Sequence, residues 1–519
     1  MSDRSAPAST RDPPEAQAIP RPTFKQRLIA IIVGRPAGKK PPETVGLFIS
    51  ENLEAFIYAV VLVVIVRHFA ITPFVIPSAS MEPTLMGHEN VNDRLFVNPW
   101  VYAVEPIERW DVVVFLYPLN RDKHFIKRLV GMGDEEIAIA AGDVYIGGKI
   151  ARKAAAAQKS MWIDVSRIDG PRELARWGTR GAELGLKGDL ALTPPDASTP
   201  ASLRFLNPRI SYDRPTPNGP VPIIPDKTRD QFVGDLQLGA KLDAPSAGTV
   251  ELRLERGADV LRCELPVGTR GRFVHERRTT ANDVETIEVV HEQALDLVLE
   301  AGARGKSVRY THVDRQLTLE VDGWSFSYDL DAAHPRDLGQ VHRDGLESAA
   351  AAEIRCSGGT LGLHAVSLER DVYYTNEGVL RIGNDGEPLT FRIPKDRYFM
   401  LGDNSPNSSD SRLWTIRKVV STSKADGSQR TVIGETDGSS RGSTMRLLDP
   451  SGTRVAYLDE YGVWQEFDQR EVDLEVTEMG WSQPDGVDPN YQTVGRELVV
   501  GRAFLVFWPL RPFRLKLIR

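Results

Sequence analysis

Two serines one residue apart, Ser78 and Ser80, lie in the run Phe74 to Leu85, Phe-Val-Ile-Pro-Ser-Ala-Ser-Met-Glu-Pro-Thr-Leu. Pro77 and Pro83 frame them. Proline fixes φ and removes a backbone donor, so both flanks are stiffened and turned away from helix. A serine in such a loop becomes a nucleophile once a base is in reach; the same pair also suits an ordinary turn. One candidate base is Lys127, which period-two alternation puts on one strand face with Phe125 and Leu129. Lysine acts as a base only when neutral. With an ordinary pKa of about 10.4, roughly one in a thousand is neutral at pH 7. Burial among apolar side chains lowers that pKa, whereas a lysine that snorkels to the surface keeps it. A third polar stretch, Gly402 to Arg412, carries Ser408, Asp410 and Arg412. It reads either as a plain surface turn or as an Asp410–Arg412 ion pair beside Ser408.

Short strands must position these groups. Trp110–Tyr117 is nearly continuous in apolar residues, the pattern of a strand buried on both faces. Asn92–Asn98 reads as a turn entering a strand, and Tyr398–Leu401 as the strand before the third polar stretch. Upstream, Ala55–Val66 is the one strongly apolar segment, and Phe69, Ala70 and Ile71 extend it toward Pro73. A helix needs about 20 such residues to cross a bilayer, with Arg67 snorkelling to the far side. Arg21, Lys25, Arg27, Arg35, Lys39 and Lys40 precede it, so the amino terminus is expected in the cytoplasm and the rest of the chain outside. That topology sets Ser80 at the outer face of the membrane.

The 519 residues are enough for about two to four domains. A net charge of −7 argues against general nucleic-acid binding. Cys263 and Cys356 have no neighbouring ligand pattern, and the histidines lack metal-ligand spacing on a helix, so no metal or other cofactor is expected. The two cysteines are either buried thiols or, outside the cytoplasm, one disulfide.

In order, the islands F-V-I-P-S-A-S-M-E-P-T-L, N-D-R-L-F-V-N (92–98), K-R-L-V-G-M-G-D (127–134) and G-D-N-S-P-N-S-S-D-S-R (402–412), with the apolar strand Leu498–Trp508, resemble the bacterial type I signal peptidases. These are membrane-anchored serine proteases with a Ser-Lys dyad. Each motif alone is weak; their order after the apolar segment is specific. The resemblance implies Ser80 as nucleophile and Lys127 as general base. It implies an oxyanion hole made by the Ser80 N–H and the Ser78 hydroxyl. Ser408 would orient Lys127, with Asp410 and Arg412 bracing their loop and Arg128 close by. Phe74, Ile76, Pro77, Met81, Leu85 and Ile126 would line shallow pockets for small side chains. The implied substrates are the signal peptides of exported preproteins, cut after Ala-x-Ala at the outer face of a bacterial cytoplasmic membrane, with membrane lipid as the other partner. Ala79 stands where the family usually has glycine, and Ser405-Pro406 where an Arg-Asp pair is common, which puts the usual ion pairing of that loop in doubt.

The expected fold class is mainly β: an N-terminal transmembrane helix, a β-rich peptidase core and a large inserted β-sandwich. The expected divisions are a disordered tail (1–42), a juxtamembrane and transmembrane helix (43–73), core pieces at 74–150, 398–416 and 496–519, an insert at 151–397, and a second insert at 417–495. Within the first insert, strands at Thr249–Leu254, Thr286–Val290, Leu295–Glu300, Leu317–Val321 and Leu361–Leu368 suggest a two-sheet sandwich over 203–372. It is loosely similar to concanavalin- or laminin-G-like jelly rolls, which often bind carbohydrate or protein. A spacer without ligand fits equally, and removal of 200–372 should then spare chemistry. A Ser-His-Asp site using His124 is disfavoured, because alternation turns His124 off the Lys127 face and no G-x-S-x-G surrounds Ser80. A self-cleaving repressor-type Ser-Lys protease fits poorly with the apolar segment. The remaining alternative is a membrane-tethered binding protein whose inactive peptidase core carries the sandwich.

Overall fold

Val112–Tyr117 is apolar at every position, and it lies inside the sheet that carries the candidate dyad. In the computed structural model this sheet has eight strands: β1 (Thr72–Val75), β2 (Arg94–Asn98), β3 (Val112–Tyr117), β4 (Asn120–Gly131), β5 (Arg397–Leu401), β6 (Val494–Gly495), β7 (Val499–Trp508) and β8 (Lys516–Leu517). Their order is β1-β2-β7-β3-β4-β5-β6, with β8 on β7. Side chains of a strand alternate between faces. Val113, Phe115 and Tyr117 therefore join one core with Met400, Trp414 and Leu498. Val112 and Val114 join another with Met81, Leu85, Leu95 and Ala503. Burial of β3 on both faces, as its composition predicts, follows from this double packing.

The described residues are 53, 56–61, 72–88, 91–185, 188–214, 221–223, 231–281, 284–346, 349–375, 388, 390–436, 444–479, 489–509 and 515–518. The chain forms two units, 1–71 and 72–519. In the first, Leu53 and residues 56–61 are helical and exposed. The 1–42 tail and half of the Ala55–Val66 segment lie outside the described residues. Among those described, no helix is long and apolar enough to cross a membrane. Thr72 and Pro73, expected at the end of the helical segment, instead begin β1.

After β4 the chain makes the strands Glu136–Ala140, Asp143–Ile146 and Lys149–Ile150. Thr390–Arg392 returns to pair with the first of these, Phe391 opposite Ile137. The long insert thus leaves and re-enters the core on one small sheet. The insert itself builds sheets of eight and seven strands. Leu238, Tyr310 and Leu363 of one sheet share a hydrophobic core with Leu252, Cys263, Phe273 and Cys356 of the other. The strands start well before residue 203: Ile163–Arg167, Gly178–Arg180, Ala182–Leu184 and Leu190–Leu192 all belong to these sheets. Thr286–Val290 and Leu295–Glu300 are not two strands, because Val284–Val298 is continuous and pairs along Arg270–Ala281 through two register shifts. Cys263 and Cys356 are buried, free thiols. They lie on strands either side of Thr249–Arg256.

The later segment forms two three-stranded sheets. One centres on Ile416–Ser423, paired with Gln429–Glu435 and Val472–Met479. The other pairs Arg454–Leu458 with Trp464–Asp468 and Met445–Leu447, close to the strands expected at 455–458 and 463–467.

Candidate active site

The nucleophile run begins as β1, an edge strand paired only with β2, and then turns through a single 3-10 turn at Ala79–Met81. Ile76, Met81 and Leu85 are buried in the β1–β2–β7 core and anchor the turn from beneath. Two glycines let backbone approach it closely. A Cβ on Gly87 would stand 1.9 Å from the Ser78 carbonyl oxygen. A Cβ on Gly402 would meet the Ser80 carbonyl oxygen at 2.4 Å and Ser408 Oγ at 2.2 Å. Both positions thus exclude any side chain.

Lys127 comes from β4, opposite Val113 of β3. Its amine stands 5.5 Å from the centre of the Phe125 ring, on the face that alternation predicts. Lys127 Nζ and Ser80 Oγ are in hydrogen-bond contact at 2.6 Å, and both residues are buried. Burial lowers the lysine pKa to about 8, against the opposing pull of Asp410 and Asp403; Arg412 adds to the lowering. Ser78 Oγ lies 3.3 Å from Ser80 Oγ at the exposed mouth of the turn. His124 is exposed on the opposite face of β4, its ring 5.4 Å from that of Phe74.

The third polar stretch folds under the dyad. Arg412 Nε and Nη2 donate to Asp410 at 2.8 and 2.7 Å, and Asp410 also accepts the Gly402 N–H at 3.0 Å. Arg128 makes a second two-point pair, to Asp403. Both pairs are fully buried. Ser405, standing where an arginine is usual, accepts from Arg412 Nη1 at 2.7 Å and from the Thr375 N–H at 2.8 Å. The loop therefore keeps an ion-paired frame with different partners. Ser408 is buried next to Gly402, and its hydroxyl has no hydrogen-bond partner among the described residues; the bond to Lys127 implied by the resemblance is not made in this structure.

Among the pocket candidates, Ile76, Met81 and Leu85 are buried while Phe74 and Ile126 are half-buried at the rim of the same cluster. Pro77 is exposed. Sequence reasoning missed Asp403, Asn404 and Glu82. Asn404 donates its backbone N–H to the Ser80 carbonyl at 3.1 Å and its amide to the Ala79 carbonyl at 2.8 Å. For Asp403 and Asn404 the available signal is their place directly after Gly402; Glu82 carries none.

A separate buried cluster brings carboxylate oxygens of Asp143, Asp235 and Asp314 within 4.8 Å of one another. Arg256 pairs with the first two and Lys153 with the third, so cations of the chain itself compensate these carboxylates.

A serine and a buried lysine in hydrogen-bond contact on a β core is the arrangement that a serine–lysine dyad requires. Residues 49–171 and 353–433 match the family model described as signal peptidase, peptidase S26. The resemblance to bacterial type I signal peptidases is thereby borne out over those segments. The probable signal peptidase I-2 of Synechocystis sp. is 36% identical over 117 residues, 22% of this chain and 50% of that one. Signal peptidase I of Bacillus amyloliquefaciens is 37% identical over 97 residues, 18% and 48% of the two chains. Signal peptidase I S of Bacillus subtilis is 36% identical over 102 residues, 20% and 51%. The chain spans about half the length of these curated relatives. Of the solved structures, the match to β-agarase B from Zobellia galactanivorans covers 41% of this chain and 94% of that one at 8% identity, with a TM-score of 0.27.

Proposed function

We propose that the chain is a membrane-anchored signal peptidase that removes signal peptides from exported preproteins after Ala-x-Ala. The observation that carries this reading is the 2.6 Å contact between Ser80 Oγ and a lysine whose pKa burial lowers to about 8. Neutral Lys127 takes the Ser80 proton as Oγ attacks the scissile carbonyl carbon. The Ser80 N–H and the Ser78 hydroxyl meet the developing oxyanion. Protonated Lys127 returns its proton to the leaving amine, which leaves an ester on Ser80. Lys127 then deprotonates the water that hydrolyses this ester and frees the serine.

The half-buried Phe74 and Ile126, above the buried Ile76, Met81 and Leu85, suit shallow subsites that admit alanine and exclude larger side chains. Asp410, Arg412 and Arg128 brace the loop beside the lysine, and Ser408, without a hydrogen-bond partner among the described residues, would orient Lys127 once substrate is bound. A lipid-facing edge is supported by Val75, Trp100, Trp508, Leu515 and Leu517, all exposed on or beside β1, β2, β7 and β8. Phe96 stacks on Phe504 and Phe507 in the same region. Together with the apolar segment that precedes β1, this favours a catalytic unit resting on the outer face of the cytoplasmic membrane.

The test is cleavage of a preprotein with an Ala-x-Ala site by the purified full-length protein in detergent micelles. Ser80→Ala and Lys127→Ala should each abolish it. Full activity in either variant removes the dyad, and an inert wild type favours a tethered binding protein with a silent core.

A further inference from the structure

The side chain of Tyr212 brings the insert to the nucleophile turn. This residue starts the short hairpin Tyr212–Arg214 with Val221–Ile223, between sandwich strands Ala201–Leu206 and Leu236–Asp243. The sandwich holds the hairpin: Arg370, on strand Leu361–Arg370, donates Nε and Nη2 to the Ser211 carbonyl at 3.2 and 2.9 Å. Tyr212 is 4% exposed. Its hydroxyl donates to Glu82 Oε2 at 2.6 Å and accepts from Asn404 Nδ2 at 3.3 Å.

Each of those partners grips the nucleophile turn. Glu82 lies two residues after Ser80, is fully buried, and accepts the Gly87 N–H at 3.3 Å through its other oxygen. Gly87 in turn packs against the Ser78 backbone. Asn404 holds the carbonyls of Ala79 and Ser80. One phenolic hydroxyl from the insert thus ties together the turn that carries Ser80 and the loop that faces Lys127. A second tie lies where the insert ends: the Thr375 N–H donates to Ser405 Oγ, and the Tyr374 hydroxyl reaches Asp403 Oδ1 at 3.4 Å.

We propose that Tyr212 is a positioning residue for Ser80, and hence that the insert completes the site instead of merely decorating it. The proposal rests on the serine–lysine reading above. A serine nucleophile works only when held within a fraction of an ångström of its reacting geometry, and buried hydrogen-bonded partners supply that restraint. Removal of residues 200–372 takes Tyr212 away and should therefore cost chemistry, contrary to the expectation for a plain spacer.

The experiment uses the full-length protein with Tyr212→Phe, which keeps the ring and removes only the hydroxyl. The control is Tyr328→Phe, a buried sandwich tyrosine whose hydroxyl contacts His275 Nδ1, remote in the fold from these hydrogen bonds. Tyr212→Phe should lower kcat about tenfold, the value of one net hydrogen bond, with KM unchanged. Amides of residues 79–88 should exchange with solvent several-fold faster, while Tyr328→Phe leaves both readouts at wild-type values. Wild-type kcat and exchange in Tyr212→Phe overturn the proposal, as does an equal kcat loss in the control. If the wild-type protein cleaves no Ala-x-Ala substrate, the peptidase reading fails by itself, and exchange at 79–88 alone decides whether Tyr212 holds the turn.

Discussion

Arg128 and Asp403 form a two-point ion pair, Nε to Oδ1 at 2.8 Å and Nη2 to Oδ2 at 2.6 Å, with neither side chain exposed. Arg128 follows the candidate base on β4, and Asp403 follows Gly402 in the loop beneath it. Thr84 Oγ1 adds a 2.6 Å bond to the same carboxylate. Asp403 therefore joins the lysine strand, the nucleophile run and the loop at one point, which makes it the frame of the site.

Removing one partner of a buried pair leaves the other charge without compensation, at a cost of about 3–5 kcal/mol. Asp403→Ala should lower unfolding stability by roughly that amount in denaturant melts. Arg128→Met combined with Asp403→Leu should cost far less than the sum of the two single changes. A loss below about 1 kcal/mol for Asp403→Ala would remove the pair from its framing role.

Cleavage should rise with pH through about 8. In the proposed mechanism the working form of Lys127 is the neutral amine, and burial lowers its pKa to about 8, so each pH step below that value should remove a growing fraction of active protein. The measurement is kcat/KM against pH, with the acidic limb assigned to one group of pKa about 8. A rate that is flat from pH 6 to 9 would contradict the assignment.

The same burial makes Lys127 expensive to the fold. Its folded pKa is about 8 and its unfolded value 10.5. Below pH 8 both states hold the proton and the full penalty stands; between 8 and 10.5 the unfolded state alone binds it, so this contribution becomes more favourable as pH rises. Lys127→Met should abolish activity yet stabilise the protein at pH 7 by up to about 3 kcal/mol. The gain should fade toward pH 10.5 in urea melts. Equal stability of the two proteins at pH 7 would show that the amine is hydrated.

Ser408 offers a separation of folding from chemistry. Its buried hydroxyl has no hydrogen-bond partner among the described residues, so Ser408→Ala should change stability by less than about 1 kcal/mol. If the hydroxyl orients Lys127 once substrate is bound, kcat should drop at least tenfold in the same variant. Gly402→Ala should damage both, because its methyl would collide with the Ser80 carbonyl and with Ser408. Unchanged kcat in Ser408→Ala would leave that hydroxyl without a part in the reaction.

The dyad strand and nucleophile run were legible because alternation and proline stiffening are local properties. Lys127 and Phe125 share a face as their spacing predicts, and β3 is buried on both sides. The early sandwich strands were not legible. Gly178–Arg180 and Ala182–Leu184 are three residues each, too short to show a period. The division of Val284–Val298 into two strands has a different cause: register shifts leave extra residues in this strand, Val290 among them, and break its own alternation. Tyr212 was invisible because its value depends on Asn404, 192 residues away. Nothing local to an aromatic residue in a Pro-rich hairpin announces such a partner.

The insertion point also orders events in time. The partner of Arg128 lies 275 residues further along the chain, beyond the whole sandwich. Ser80 and Lys127 are synthesised early, but the loop that carries Asp403 and Asp410 arrives only after the insert. Until then Arg128 lacks the Asp403 carboxylate and Lys127 lacks the charges of Asp403 and Asp410. β7, which lies between β2 and β3, comes later still, so the sheet that holds Lys127 is complete only once residues 499–508 have been made.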